Sequence, residues 1–383
     1  MKVYIIAGEP SGDLLGSRLM RSMMAKCPDT QFYGVGGETM EREGLKSLFD
    51  IKELAVMGIL EVIPSVPRIL KRIKQTVDDI ARVKPDVVIT VDSWSFSARI
   101  HKALRKRKLK IKQVHYVAPQ VWAWKKKRAR TMYKYIDHLL TLFPYEPKYF
   151  TPYHLETTFV GHPVIESMVL FGNGDDFKTR FNIAENSKIM AILPGSRKNE
   201  VANLLPIFLK TAEAFYEKHP DFTFVIPTVK TVEDKVCEMV KDSKLPLIVV
   251  TTEYDRHDVF KAADVAIAAS GTVALELAMV DVPHVIAYRV SPLTAFLARR
   301  LLKIQFVNLS NILLGREVVP ELLQENCNQQ KILYYVTELL KKGDLYQRQM
   351  EGFAKVKEIL GLNEQTPSAN ACDVLLKITG NDA

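Results

Sequence analysis

A chain of 383 residues, 47% hydrophobic and 25% charged, is long enough for two domains with cores of their own and too apolar for wholesale disorder. Lys plus Arg number 53 against 44 Asp plus Glu, and the net charge of +9 favours phosphates, nucleic acid or an anionic membrane surface without choosing among them. The four cysteines, Cys27, Cys237, Cys327 and Cys372, form no CxxC pair and no zinc spacing, so they read as reduced structural thiols of a cytosolic protein.

The first apolar run, in "MKVYIIAGEPSGD", is too short for a signal peptide and ends in Gly-Glu-Pro. It predicts a strand over Val3–Ala7, followed by a helix over Leu14–Ala25. Between them Gly8, Ser11 and Gly12 make a flexible turn whose free N–H groups suit an anion or sugar hydroxyls. The turn is neither G-x-G-x-x-G nor a Walker loop, which argues against a dinucleotide or ATP. A plain N-cap by Ser11, with Asp13 complementing the helix dipole, explains the same spacing equally well. Further strands are predicted at Phe32–Val35, Val87–Val91, Val114–Val117, Leu139–Phe143 and Thr158–Val160. The strand in "PDVVITVDSWSF" ends at Asp92, a carboxylate placed either as a general base on a bound hydroxyl or as a helix cap.

A domain boundary is expected near "VGHPVIESM", with "FGNGDD" as a surface loop just beyond it. Second-half strands are predicted at Ile189–Leu193, Phe222–Ile226, Leu247–Val250, Val265–Ala268 and His284–Ala287. Helices are expected over Ala202–Lys218 and Thr272–Met279, and through the last ~50 residues. Several of these strands lack polar alternation, as strands covered on both faces do. Repeated βα units therefore imply an α/β chain with two doubly wound parallel sheets.

Ligands collect at the carboxyl ends of strands in such sheets. In "LPGSRKNEV", Gly195 admits close backbone approach, Ser196 adds a hydroxyl, and the Arg197 fork suits phosphate oxygens; out of context a solvated charge explains Arg197 as well. In "AASGTVALELA", Ser270, Gly271 and Thr272 make a second strand-to-helix turn, with Glu276 one helical turn beyond. Glu276 is the only charge between Val265 and Val280, a segment too interrupted to span a membrane, and a buried carboxylate needs partners. Two anion-ready turns in the second half and a carboxylate in the first suggest a cleft between two domains.

These motifs run nearly end to end: "AGEPSGD", "ELAVMGILEV", "KPDVVITVD", "HYVAPQVWAWKKKR", "FVGHP", "LPGSR", "ASGTVALELA" and "NLSNILLGREVVPELLQENC". Together they resemble the lipid-A-disaccharide synthase family, inverting glycosyltransferases of GT-B architecture with two Rossmann-like domains facing a central cleft. The resemblance implies residues 1–163 as acceptor domain, rejoined by a C-terminal helix from about 355 to 383, and residues 164–354 as UDP-sugar domain. It implies transfer from UDP-2,3-diacylglucosamine to 2,3-diacylglucosamine 1-phosphate, giving a β(1→6) disaccharide 1-phosphate and UDP, with neither metal nor cofactor. Asp92 would be the base, Arg197 and Thr272 would hold the diphosphate, and Glu276 the ribose. Gly195, Ser196, Ser270, Gly271, Asn311 and Gln324 would line the nucleotide side, and Gly8, Glu9, Ser11, Gly12 and Asp13 the acceptor side. Where the family often reads D-x-P-D-F-N, this chain reads Asp92-Ser93-Trp94-Ser95-Phe96-Ser97, so the second carboxylate is absent and Asp92 is favoured as base. Another UDP-sugar enzyme of this architecture, such as a UDP-N-acetylglucosamine 2-epimerase, is the alternative.

Amphiphilic substrates imply contact with a bilayer, on the cytoplasmic face of the bacterial inner membrane. Gly58 to Val77 offers Ile63, Val66, Leu70, Ile73 and Val77 at helical spacing, with Ile69 beside them and Arg68, Lys71, Arg72 and Lys74 nearby. Pro64 and Pro67 imply that this helix starts late or is broken. A core-facing helix with a basic outer side explains the same pattern. "WAWKKKRAR" is a second candidate, for the membrane or for the acceptor 1-phosphate. Nucleic-acid binding is not expected, because the aromatics form no RNP-like stripe.

Overall fold

The computed structural model describes the chain except for residues 55–58, 123–125, 292–294, 296–299, 301–304 and 382–383, with the backbone alone for residues 59–65 and 126. The chain divides into two compact units, Met1–Pro163 with Asn363–Ala383, and Val164–Leu362.

In the first unit, strands β1 (Lys2–Ala7), β2 (Gln31–Val35), β3 (Val87–Val91), β4 (Lys112–Tyr116), β5 (His138–Thr141) and β6 (Glu156–Phe159) form a parallel sheet in the order β2-β1-β3-β4-β5-β6. Helices α1 (Pro10–Lys26), α2 (Glu38–Arg42), α3 (Ile59–Val83), α4 (Trp94–Lys106) and α5 (Ala129–Met132) accompany it. Strand β3 is buried at every position, which is why its sequence shows no polar alternation. The strand order reverses between β1 and β3, and these two end in register, Ala7 opposite Val91. Helix α1 starts at Pro10, ahead of the expected Leu14, because proline's fixed φ suits the first helical position. Gly12 lets α1 press onto β3: a Cβ there would lie 2.9 Å from the Val91 carbonyl oxygen.

The second unit repeats the plan with β7 (Lys188–Leu193), β8 (Phe222–Pro227), β9 (Leu247–Val250), β10 (Val265–Ala268), β11 (His284–Tyr288) and β12 (Glu321–Leu323), in the order β12-β11-β10-β7-β8-β9. Its helices include α6 (Gly174–Arg180), α7 (Lys198–Tyr216), α8 (Glu233–Val240), α9 (Glu253–Ala262) and α10 (Val273–Met279). The order reverses between β7 and β10, where Leu193 lies opposite Ala268. Strand β12 escapes sequence reading because three residues carry too little period. The helix Asp344–Ile359 belongs to this unit: the Gln349 side chain accepts from His284 N at 2.7 Å and donates to His284 O at 3.0 Å. The chain therefore rejoins the first unit at Asn363, later than the expected 355, and only the helix Pro367–Thr379 packs on α1.

Helix α3 runs from Ile59 through both prolines, where a late start or a break was expected. The cost falls on the carbonyls of residues 60 and 63, which have no N–H four residues on. Among the described residues no helix is long and apolar enough to cross a membrane.

The cores enclose several neutral histidines. Thr90 Oγ1 lies 2.8 Å from His101 Nε2 and 2.7 Å from His115 Nδ1, with the Trp94 ring 4.7 Å from that of His115. Burial holds His101 and His284 down at about 4 and His162 at about 3, and pushes His115 well down too. The buried Glu146 carboxyl is raised to about 7 by desolvation, although the Leu142 and Phe143 N–H groups both donate to it at 3.0 Å.

Two outcomes are expected. Gly12→Val should lower stability by about 2 kcal/mol through overpacking against β3, and an unchanged urea midpoint would refute that contact. Stability carried by the neutral histidines is complete above their unfolded value of about 6.5 and is lost as pH falls toward about 4. Glu146 works in the opposite sense, its contribution present at low pH and lost as pH rises through about 7. The histidines outnumber it, so the urea midpoint should be lower at pH 5 than at pH 7.5. Glu146→Gln should steepen that acid loss, and a midpoint unmoved or higher at pH 5 would contradict the balance.

Candidate active site

The crevice of a doubly wound sheet opens where strand order reverses. In the first unit the chain leaves β1 at Gly8 and β3 at Asp92, side by side. A Cβ on Gly8 would lie 2.8 Å from Ser93 Cβ, so glycine permits the two turns to touch. The turn after β3 is strained: Asp92 and Ser93 have φ of 57° and 45°, left-handed values that cost non-glycine residues of order 1 kcal/mol each. The Asp92 N–H donates to the Tyr116 carbonyl at 2.9 Å, and the Asp92 carbonyl accepts from Ser97 Oγ at 3.0 Å. The backbone is thus pinned while the carboxylate takes softer partners. Its Oδ2 accepts from Ser11 Oγ at 3.1 Å and its Oδ1 from Ser93 N at 2.7 Å. Ser93 Oγ donates to Glu9 Oε1 at 2.6 Å. No ion pair to Asp92 occurs among the described residues, so its carboxylate is not committed to a cation.

Two sequence expectations are refined here. Ser11 does not cap α1; Glu9 occupies the cap position but its side chain makes no capping bond to the helix, and the Ser11 hydroxyl goes to Asp92. Asp13 turns into the protein, where it accepts from Gly37 N, Thr39 N, Thr39 Oγ1 and Met40 N at 2.7, 3.0, 2.6 and 3.2 Å. It fastens the loop that starts α2, and those partners consume its acceptor capacity. Ser95, which replaces the family's second carboxylate, is exposed on α4, its carbonyl accepting from Arg99 Nη1 at 2.7 Å.

In the second unit, the turns after β7 and β10 leave the sheet together. Gly195 has φ 101°, a left-handed value that glycine alone adopts freely. Arg197 caps α7, its side chain 76% exposed and its Nη1 2.8 Å from Glu200 Oε1. On the second turn Ser270 Oγ donates to the Val307 carbonyl at 3.1 Å, Gly271 has φ 149°, and Thr272 stands at the cap position of α10 without a capping side-chain bond, its side chain exposed. Glu276 is only partly buried, and Arg256 of α9 supplies the expected partner, its Nη2 3.6 Å from Oε1.

Asn311 lies inside the unit. It accepts from Val318 N and Val319 N at 2.8 and 3.0 Å and donates to the Val319 carbonyl and Glu321 Oε1 at 2.8 and 2.9 Å. Its amide is fully used in locking the loop before β12. Gln324 leaves the carboxyl end of β12 with φ 54°, at the same edge of the sheet as the two turns. Sequence reading missed Glu200, Tyr288 and Arg256. The only local signal was the Glu three residues beyond Arg197, since the other two are brought in from α9 and β11.

Helix α3 divides the residues assigned to the membrane. Ile73 and Val77 are in the core, and Ile69 packs half-buried against it. Arg72 is tied to Glu53, its Nε 2.9 Å from Oε2, and lies over the Phe49 ring at 4.8 Å. Val66 and Leu70 are 42% and 54% exposed, beside exposed Arg68, Lys71 and Lys74. The Ile63 side chain lies outside the described residues, as do residues 123–125 of "WAWKKKRAR". Trp122 meets Tyr145 edge-on at 5.9 Å.

Two parallel sheets, each with polar turns at its point of strand reversal, define an enzyme of GT-B architecture. A UDP-GlcNAc 2-epimerase from Neisseria meningitidis, solved with UDP-GlcNAc bound, shares the fold with a TM-score of 0.66 over 98% of this chain and 99% of that one, at 13% identity. MurG from Acinetobacter baumannii does so with a TM-score of 0.56 over 98% and 99%, at 15% identity. At such identities the likeness is one of fold alone. The chain belongs to the lipid-A-disaccharide synthase family: the family model described as lipid-A-disaccharide synthetase matches residues 3–374. The lipid-A-disaccharide synthase of Paramagnetospirillum magneticum is 46% identical over 379 residues, 98% of this chain and 97% of its own. That of Rhodospirillum centenum is 43% identical over 377 residues, 98% and 94% of the two chains. The chain is accordingly a glycosyltransferase of lipid A biosynthesis, and the epimerase alternative falls away.

Proposed function

We propose that the chain transfers the sugar of UDP-2,3-diacylglucosamine to the 6-hydroxyl of 2,3-diacylglucosamine 1-phosphate, forming the β(1→6) disaccharide 1-phosphate and UDP. The observation that carries the mechanism is the Asp92 carboxylate, held at the β1–β3 reversal by a hydroxyl and an N–H. Asp92 takes the proton of the acceptor 6-hydroxyl as its oxygen attacks the anomeric carbon. The bond from that carbon to the UDP oxygen breaks on the opposite face, so the configuration inverts. Glu9, Ser11 and the turn glycines Gly8 and Gly12 shape the acceptor side, and Asp13 acts through the loop it fastens.

On the donor side, Arg197 neutralises charge growing on the leaving diphosphate, with hydroxyls of Ser270, Thr272 and Ser196 near it. Gly195 and Gly271 allow the backbone turns that place these groups. Glu276 accepts from the ribose hydroxyls and Gln324 contributes at the same edge. Asn311 supports this side from within.

The amphiphilic substrates are met at the cytoplasmic surface of the inner membrane. Supporting this is the exposed apolar pair Val66 and Leu70 flanked by basic residues, a pattern that sits in a bilayer interface and attracts anionic lipid.

Asp92→Asn is expected to lower kcat by roughly 10²–10⁴-fold while leaving UDP affinity within about twofold. Arg197→Ala should do the converse in part, weakening UDP by about tenfold. Both follow from a disaccharide-forming assay with calorimetry of UDP; near-normal turnover of Asp92→Asn would remove the base assignment. Val66→Ser with Leu70→Ser should cut sedimentation with anionic vesicles several-fold while the melting temperature holds. Undiminished vesicle binding by the folded variant would overturn the membrane reading.

A further inference from the structure

The turn that carries Arg197 also carries a carboxylate of its own. Glu200, in the first turn of α7, reaches back so that its Oε2 accepts from Ser196 N and Arg197 N at 3.2 and 3.3 Å. Its Oε1 accepts from Arg197 Nη1 at 2.8 Å and from the Tyr288 hydroxyl at 3.1 Å. Gly195 belongs to this arrangement as well: a Cβ there would lie 2.5 Å from Glu200 Oε2. Glycine at this position is what makes room for the carboxylate. Tyr288 is the last residue of β11, next to β10 in the sheet, so the bond ties the β7 turn to a second strand end. Burial and then the Glu200 charge raise the Tyr288 phenol, which keeps its proton for donation.

The exposures differ in a telling way. Glu200 is 14% exposed at its side chain and Arg197 is 76%. A solvent-exposed arginine is free to adopt many rotamers, and part of that conformational entropy is lost when it engages a ligand. A buried carboxylate that already grips one guanidinium nitrogen holds the side chain before a ligand arrives and so reduces that loss. It also fixes which way the backbone of Ser196 and Arg197 faces. An ordinary capping box would need neither the guanidinium nor the tyrosine from β11.

We propose that Glu200 and Tyr288 are positioning residues that hold Arg197 in place for the diphosphate of the nucleotide sugar. The inference rests on the role given to Arg197 above. Its test is a double-mutant cycle on the full chain, with UDP as the calorimetric probe and disaccharide formation as the kinetic readout. The variants are Glu200→Gln, Tyr288→Phe, Arg197→Ala and the two doubles, each with a melting temperature.

In the Arg197 background, Glu200→Gln and Tyr288→Phe should each weaken UDP by about five- to twentyfold and raise KM for the donor more than they lower kcat. In the Arg197→Ala background the same changes should cost less than about twofold, because the residue they position is gone. Equal losses in both backgrounds, or single variants that bind UDP as the parent does, would overturn the proposal while leaving Arg197 its role. An Arg197→Ala variant with unaltered UDP affinity and kcat/KM would instead remove the role of Arg197, and the inference with it. Should Glu200→Gln fail to fold, Tyr288→Phe, which deletes a single hydroxyl, decides the matter alone.

Discussion

Parallel pairing is the constraint on which everything else rests. It sends the carboxyl end of every strand to one edge of its sheet, and each crossover helix must start there. Where strand order reverses, neighbouring helices leave in opposite directions and the edge is left open. In this chain the reversals fall between strands that end level with one another, Ala7 beside Val91 and Leu193 beside Ala268. That register, and no local property of the loops, puts Gly8 next to Asp92 and Pro194 next to Ala269. Close packing maintains it: Gly12 admits α1 to within contact of the β3 carbonyl.

The two open edges are furnished with opposite chemistry. In the first unit a pair of carboxylates, Glu9 and Asp92, is spaced by serine hydroxyls that satisfy them without neutralising them. An oxygen held only by neutral donors remains available to take a proton. The strain of two successive left-handed residues at Asp92 and Ser93 is tolerated because the Tyr116 carbonyl and the Ser97 hydroxyl hold the turn from both ends. In the second unit each functional charge is matched, Arg197 by Glu200 and Glu276 by Arg256. Matching suits groups whose task is to hold a shape rather than to exchange a proton.

Helix α3 shows one stripe of apolar residues serving two surfaces. Its period is continuous, yet Ile73, Val77 and Ile80 enter the core while Val66 and Leu70 face outward. The helix is 25 residues long, and Ile69, which packs on the core, stands one residue before the exposed Leu70, so neighbouring positions on the stripe turn to different surfaces. The basic residues divide in the same way: Arg72 is drawn inward by Glu53 and the Phe49 ring, and Lys71 and Lys74 remain on the surface.

The sequence by itself determined the strands of both sheets except β12, the alternation of strand with helix, and the turns at Gly8–Asp13, Asp92, Gly195–Arg197 and Ser270–Thr272. Those features are local: doubly covered strands are written as unbroken apolar runs, and glycine, serine and proline mark the turns between them. The ordered motifs also made the family legible, because their joint spacing is far more specific than any one of them. Tertiary structure decided what each polar side chain does. Asp13 and Asn311 read as site residues and proved to be fully engaged inside their units, since their partners at 37–40 and 318–321 lie on other segments. Glu200 drew no notice in the sequence and became the anchor of Arg197, because Tyr288 arrives from a strand 88 residues away. A hydrogen bond depends on which segments meet, and strand order, which no local pattern encodes, is what brings them together.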